Sequence, residues 1–207
     1  MRNRKEEILT VALHLFARDG YEAVSVSQIA GELDMTKGAL YRHYKSKRDI
    51  FDCILERMEQ GDSERAAEYD MPEDDKESMP DQYKTVSLEE FVEYSKSMFA
   101  YWTEDDFASS FRKMLTIEQF RSEEMQGLYQ QYLSSGPAAY VKDLFESMGI
   151  AHAEENAVRF YATMYFYYSV YDGADDKKKV KNEFASAIGS MAQEWIMQPK
   201  LTQIRKS

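Results

Sequence analysis

Between Ser25 and Asp49 the chain reads SVSQIAGELDMTKGALYRHYKSKRD, and few folds accommodate such a run. Ser25 with Gln28 three residues later has the spacing of a capping box, in which each residue satisfies a free backbone N–H of the other. Val26, Ile29, Ala30 and Leu33 then fall on one helical stripe. Asp34-Met35 interrupts that helix, and Thr36 is an N-cap for a short third helix whose inward residues are Leu40 and Tyr44. Ser46 with Asp49 repeats the capping-box spacing and opens a fourth helix with Ile50, Ile54 and Met58 as its stripe. Upstream, Ile8, Val11, Ala12, Leu15 and Phe16 predict a first helix from about Arg4 to Asp19, stopped by Gly20.

The remainder also reads as helices. The fourth helix is expected to persist to about Tyr69 despite Gly61. From there to Val86 the periodicity fails in an acid-rich stretch containing Pro72 and Pro80, which predicts a mobile connection. Ser87 with Glu90 starts a helix reaching about Trp102, and further helices are predicted over 107–120, 123–133, 136–149, 153–171 and 178–197. No segment alternates polar with apolar residues as a strand does, and nothing repeats. The expected fold class is all-α. An N-terminal three-helix unit spans residues 1–48, and a helical C-terminal domain spans 49–207.

Charge is distributed unevenly. The chain carries −11, yet residues 1–50 hold nine Lys/Arg against seven Asp/Glu, so all of the negative excess lies beyond them. From Met35 to Arg48 there are five basic residues and no acid. A compact basic face on an acidic body approaches a polyanion in one orientation, because the body is repelled. A charge cluster alone reads equally as a solvated helix face. No apolar run approaches the ~20 residues that span a bilayer. A single cysteine, Cys53, cannot form an internal disulfide, and the expectation is a reducing, cytoplasmic compartment.

A helix, a tight turn and a second helix with basic and hydroxyl side chains on one side suit entry into the major groove of DNA. Lys37 and Gly38 open the short helix, where side chains point at base edges and glycine permits close backbone approach. Ser25, Ser27, Gln28 and Thr36 lie beside them as hydroxyl and amide donors. Tyr41, Arg42 and His43 stand at the far end as phosphate candidates. Tyr41 reads equally as a packing residue. Lys47 adds charge at the start of the fourth helix, beside free N–H groups.

Residues of about 4–58 resemble the N-terminal domain of the TetR family of bacterial transcriptional regulators. The resemblance rests on Gly20, on Ile29-Ala30, and on Gly38-Ala39-Leu40-Tyr41-Arg42-His43-Tyr44-Lys45-Ser46-Lys47. Asp34 stands where that family often has glycine, and Tyr44 where it has phenylalanine; Asp tolerates left-handed geometry and Tyr keeps the ring. The resemblance implies Tyr41, His43 and Lys47 as phosphate contacts, with Lys37 and Gln28 as candidates for bases. It also implies double-stranded operator DNA as partner, a homodimer, and a small-molecule effector bound in the helical body.

One reading unit touches few phosphates, so two copies on a two-fold site are expected. Phe160, Met164, Tyr167 and Tyr171, with Phe184, Ile188, Met191 and Trp195, step by three and four along the last two helices and are the predicted dimer seam. Intrachain core is the competing account of the same spacing. Met98, Phe99, Trp102, Phe107, Phe111, Met114, Tyr129, Tyr132, Tyr161 and Tyr165 supply an aromatic wall for a flat, mainly apolar effector, or simply a core. An acid such as Glu118 is compatible with a cationic effector.

Two rival readings stay open on sequence. A TetR-like chain can serve as a protein-binding adaptor with a disused reading head. A small-molecule enzyme on a helical scaffold is more remote: His14, His43, His152 and Cys53 lack metal-ligand spacing, and no Gly-x-Ser-x-Gly or phosphate loop occurs. No cofactor and no membrane partner are expected.

Overall fold

In the computed structural model, residues 4–74 and 76–197 are described; Arg2 and Asp75, counted above among the charges, lie outside them. The described residues form eleven helices and no strand. In chain order these are α1 (Arg4–Asp19), α2 (Val26–Glu32), α3 (Lys37–Leu40), α4 (Lys47–Glu68), α5 (Pro80–Tyr83), α6 (Leu88–Glu104), α7 (Asp106–Glu118), α8 (Glu123–Leu133), α9 (Ser135–Met148), α10 (Ala153–Gly173) and α11 (Lys177–Met197). The fold is all-α, as the periodicity predicts. By compactness the described residues form two units, one drawn from 4–64 and 104–129 and the other from 65–103 and 130–197.

In the first unit α1 packs on α2 and α7, and α2 packs on α3. Most of the predicted stripe residues are buried: Ile8, Ala12 and Phe16 of α1, Ile29 and Ala30 of α2, Leu40, and Ile50, Ile54 and Met58 of α4 are all but inaccessible, whereas Val11 and Leu33 are half-buried. Polar attachments join α7 and α8 to α1 and α4. His14 meets Asp106 at 2.8 Å, and Arg48 meets Glu124 at 2.7 Å. Arg57 pairs with Glu6, and its guanidinium lies 3.7 Å from the centre of the Phe107 ring.

Tyr44 is buried where α3 has ended, and its hydroxyl donates to the Lys5 carbonyl at 3.2 Å. Burial pushes this phenol up from 10.0 to about 12. Because the folded value exceeds the unfolded one, the phenol's contribution is complete below pH 10 and is lost as pH rises toward 12. In thermal melts across that window, Tyr44→Phe should start less stable than the parent and close the gap as pH rises. A constant gap would show that the phenol does not titrate differently on unfolding.

In the second unit α10 packs on α9 and α11. Two aromatic clusters fill it. Phe91, Phe145, Phe160 and Trp195 meet with ring centroids 4.6–6.5 Å apart. Phe99 stacks on Phe184 at 4.2 Å and on Tyr168 at 5.5 Å. Such offset and edge contacts are favoured by the ring quadrupoles and bury large apolar areas.

The acid-rich stretch after α4 differs from expectation. It is tied down from both ends rather than left as a free connection. Met71, Tyr83 and Val86 are buried, and the Tyr140 and Tyr83 hydroxyls donate at 3.1 Å to the carbonyls of Pro72 and Asp74. Lys76 pairs with Glu146 at 2.9 Å, which holds that carboxyl below its ordinary value. Composition marks this stretch as solvated, but a few spaced apolar and phenolic groups suffice to anchor it.

Candidate nucleic-acid interface

The reading geometry is built from local caps. Ser25 and Gln28 form a complete capping box: the Gln28 N–H donates to Ser25 Oγ at 3.2 Å, and the Ser25 N–H donates to Gln28 Oε1 at 2.7 Å. The turn after α2 places Asp34 at φ +52, the left-handed region that glycine usually fills, and Asp is among the residues that tolerate it. Thr36 Oγ1 then accepts the Ala39 N–H at 3.1 Å and starts α3.

With Leu40 and Tyr44 facing the core, the remaining side chains of this segment turn outward. Ser25, Ser27, Gln28, Thr36, Lys37, Gly38, Tyr41 and Arg42 are exposed, and His43 is half-buried. Tyr41 is 43% exposed, with Lys37 Nζ 5.8 Å from its ring centroid. A Cβ at Gly38 would meet nothing within 4 Å, so the approach to the start of α3 is open.

The five basic residues of Met35–Arg48 do not act alike. Lys47 Nζ donates to the Tyr21 carbonyl at 2.8 Å, sits 4.3 Å from the Tyr21 ring centroid and lies 3.9 Å from Glu22. Its charge braces the turn between α1 and α2. Arg48 is held by Glu124 and by Asp52, both at 2.7 Å, which raises its guanidinium above its ordinary value. Lys37, Arg42 and Lys45 are exposed. Lys45 belongs to the basic run without being among the contacts expected from the sequence, and its exposure adds it to the face.

The structure also brings in two residues that no local pattern marks. Glu118, the last residue of α7, is 1% exposed and accepts the Tyr21 N–H at 3.1 Å. Tyr21 packs its ring between Phe16 and Phe51, with centroids 5.1 and 5.0 Å away. A separation of 97 residues leaves no sequence signal for the Glu118 contact.

The effector candidates fall in both compact units. Phe107, Phe111, Met114 and Tyr129 belong to the first compact unit, and Met98, Phe99, Trp102, Tyr132, Tyr161 and Tyr165 to the second. Phe107, Phe111 and Met114 are buried, as are Phe99, Trp102, Tyr132 and Tyr161, whereas Met98, Tyr129 and Tyr165 are half-buried. A surface groove of about 870 Å³ at the α9–α10 junction, lined by Glu146, Ile150, His152 and Val158 among others, contains none of the ten. Of the predicted dimer seam, Phe160, Met164, Tyr171, Phe184, Ile188, Met191 and Trp195 are buried within their own chain, and only Tyr167 is half-buried. The three-four spacing found the inward stripe of each helix. The outward stripe of α10 carries Val158, Ala162 and Phe166, with Val158 57% and Phe166 61% exposed.

Residues 8–54 match the family model of bacterial regulatory proteins, tetR family. They are a TetR-family domain. The HTH-type transcriptional regulator AcrR of Shigella flexneri is 40% identical over 65 residues, 31% of this chain and 30% of that protein. The nucleoid occlusion factor SlmA of Escherichia coli O1:K1 is 41% identical over 59 residues, 28% of this chain and 30% of that protein. The chain thus matches under a third of the length of either relative, through the TetR-family domain. Over nearly the whole chain the likeness is one of fold. SmeT, the repressor of the Stenotrophomonas maltophilia multidrug efflux pump SmeDEF, in its triclosan complex superposes with TM-score 0.67 at 14% identity, over 96% of this chain and 94% of SmeT. Among the described residues no helix is long and apolar enough to cross a membrane.

Proposed function

We propose that the chain is a cytoplasmic, sequence-specific DNA-binding transcriptional regulator of the TetR type, a homodimeric repressor relieved by a small molecule. The observation that carries this reading is the exposed set of Lys37, Gly38, Tyr41, Arg42 and Lys45 on a helix-turn-helix capped at both helix starts. Lys37 and Gln28 reach base edges in the major groove, and Tyr41, Arg42, Lys45 and His43 hold flanking phosphates. Lys47 supports the head from behind through Tyr21. The test is fluorescence anisotropy on a duplex selected by the protein from a random library, repeated across a salt series. Specific binding weakens linearly with log salt at a slope of about −0.9 per neutralised phosphate. A slope near zero rejects the reading and favours the adaptor.

Two copies place two heads on a two-fold site with half-sites ~34–36 Å apart or a multiple of that. The outward face of α10, with Val158, Ala162 and Phe166, suits an isologous contact, and Ala185, Gly189 and Ala192 on α11 permit close helix approach. Phe166→Glu should shift sedimentation from dimer to monomer while leaving the helical signal intact. An unchanged dimer would exclude this face.

Triclosan on SmeT supports an aromatic, mainly apolar effector class for this chain, bound among the body's rings. Such a ligand releases DNA only through the difference in its affinity for DNA-competent and incompetent states. Equal operator affinity with saturating triclosan excludes that compound.

A further inference from the structure

We propose that Glu118 is a positioning residue for DNA recognition: from the end of α7 its carboxylate sets the turn between α1 and α2, and through it the placement of the reading helices. The inference rests on the DNA-binding reading above. It deepens that reading by making α7 part of the reading head.

Four observations converge on this carboxylate. It is buried, and an acid at the C-terminal end of a helix opposes the helix dipole, so its place is not explained by α7's own stability. It accepts the Tyr21 N–H at 3.1 Å, while Arg121 Nε lies 3.2 Å away and balances its charge. The turn is shaped to receive it, because a Cβ at Gly20 would lie 2.7 Å from Glu118 Oε1 and Gly20 holds φ +90. Tyr21 is then secured on every side: its N–H by α7, its carbonyl by Lys47 of α4, its ring by Phe16 and Phe51. Three residues after Tyr21 the buried Val24 leads into Ser25, the cap of α2. A shift of the turn therefore reaches the start of α2, and α2 packs on α3.

Reach, rather than charge, is what the placement needs, and two variants separate them. Glu118→Gln keeps an oxygen at the same distance; Glu118→Asp keeps the charge and withdraws it by one methylene. The probes are the duplex selected by the wild-type full chain from a random library and a random-sequence duplex at low salt. Glu118→Gln should bind the selected duplex within about 3-fold of wild type, and Glu118→Asp should weaken by about 10-fold or more, consistent with leaving the part-buried Tyr21 N–H without its acceptor. Both should bind the random duplex as wild type does, because the phosphate-facing charges are untouched. The proposal is overturned if Glu118→Asp binds the selected duplex normally, or if Glu118→Gln weakens as much as Glu118→Asp. It is also overturned if Glu118→Asp loses both duplexes alike, which marks a general loss of structure. A wild-type chain that enriches no duplex overturns the DNA reading itself, before any variant is compared.

Discussion

Replacing Lys37 with Ala should weaken binding to the selected duplex by at least about 30-fold, because a side chain hydrogen-bonded to a base edge contributes roughly 1–3 kcal/mol and a dimer loses two of them. Lys37 is exposed at the first turn of α3, over the Tyr41 ring and beside the open approach at Gly38. Its loss should relax preference at particular base positions. Arg42→Ala differs in kind. As a phosphate contact it should weaken all duplexes about equally and reduce the magnitude of the salt slope by about 0.9 per head. Lys47→Ala differs again, since Lys47 is committed to the Tyr21 carbonyl, and its loss should appear first as a lower melting temperature. Anisotropy at several salt concentrations, with a melt of each variant, separates the three. Identical behaviour of Lys37→Ala and Arg42→Ala would remove the distinction between a base contact and a phosphate contact at these two residues.

The second large effect concerns stability. Gly136→Ala should destabilise the fold by about 3 kcal/mol, the upper part of the range for overpacking. The chain passes from α8 to α9 across Ser134 alone, and a Cβ at position 136 would lie 2.2 Å from the Gln131 carbonyl oxygen. That neighbour is backbone and cannot swing aside as a side-chain tip can. Gly127, also on α8, has nothing within 4 Å of where its Cβ would be. Gly127→Ala should therefore stabilise by about 0.5–1 kcal/mol, through the usual preference of a helix interior for alanine. Calorimetric melts of the pair supply an internal control: equal shifts would mean that the tight passage relaxes at little cost.

What could be read without coordinates was local. The capping box at Ser25, the Thr36 cap, Asp34 in the left-handed turn and the stripes of α1, α2 and α4 each depend on residues within four positions of one another. Local hydrogen bonding and helical period determine these features in almost any context. The outward set of α3 followed from them, because once Leu40 and Tyr44 face the core the side chains between them face solvent. The acid-rich stretch after α4 is not legible in the sequence for the converse reason. Its anchors at Tyr83, Tyr140 and Glu146 are scattered singly through the chain, and composition alone does not see them.

The sequence by itself determined which stretches are helical, where they are capped, and that a basic reading surface is present. The tertiary structure alone decided which partners those elements take. It turned the three-four stripes of α10 and α11 inward, committed Lys47 to the Tyr21 carbonyl and paired the exposed Arg48 with Asp52 and Glu124, and carried Glu118 to a turn 97 residues away. Helical period reports that a face is buried but not what buries it, and a hydrogen bond across a long loop leaves no trace in the spacing of either end.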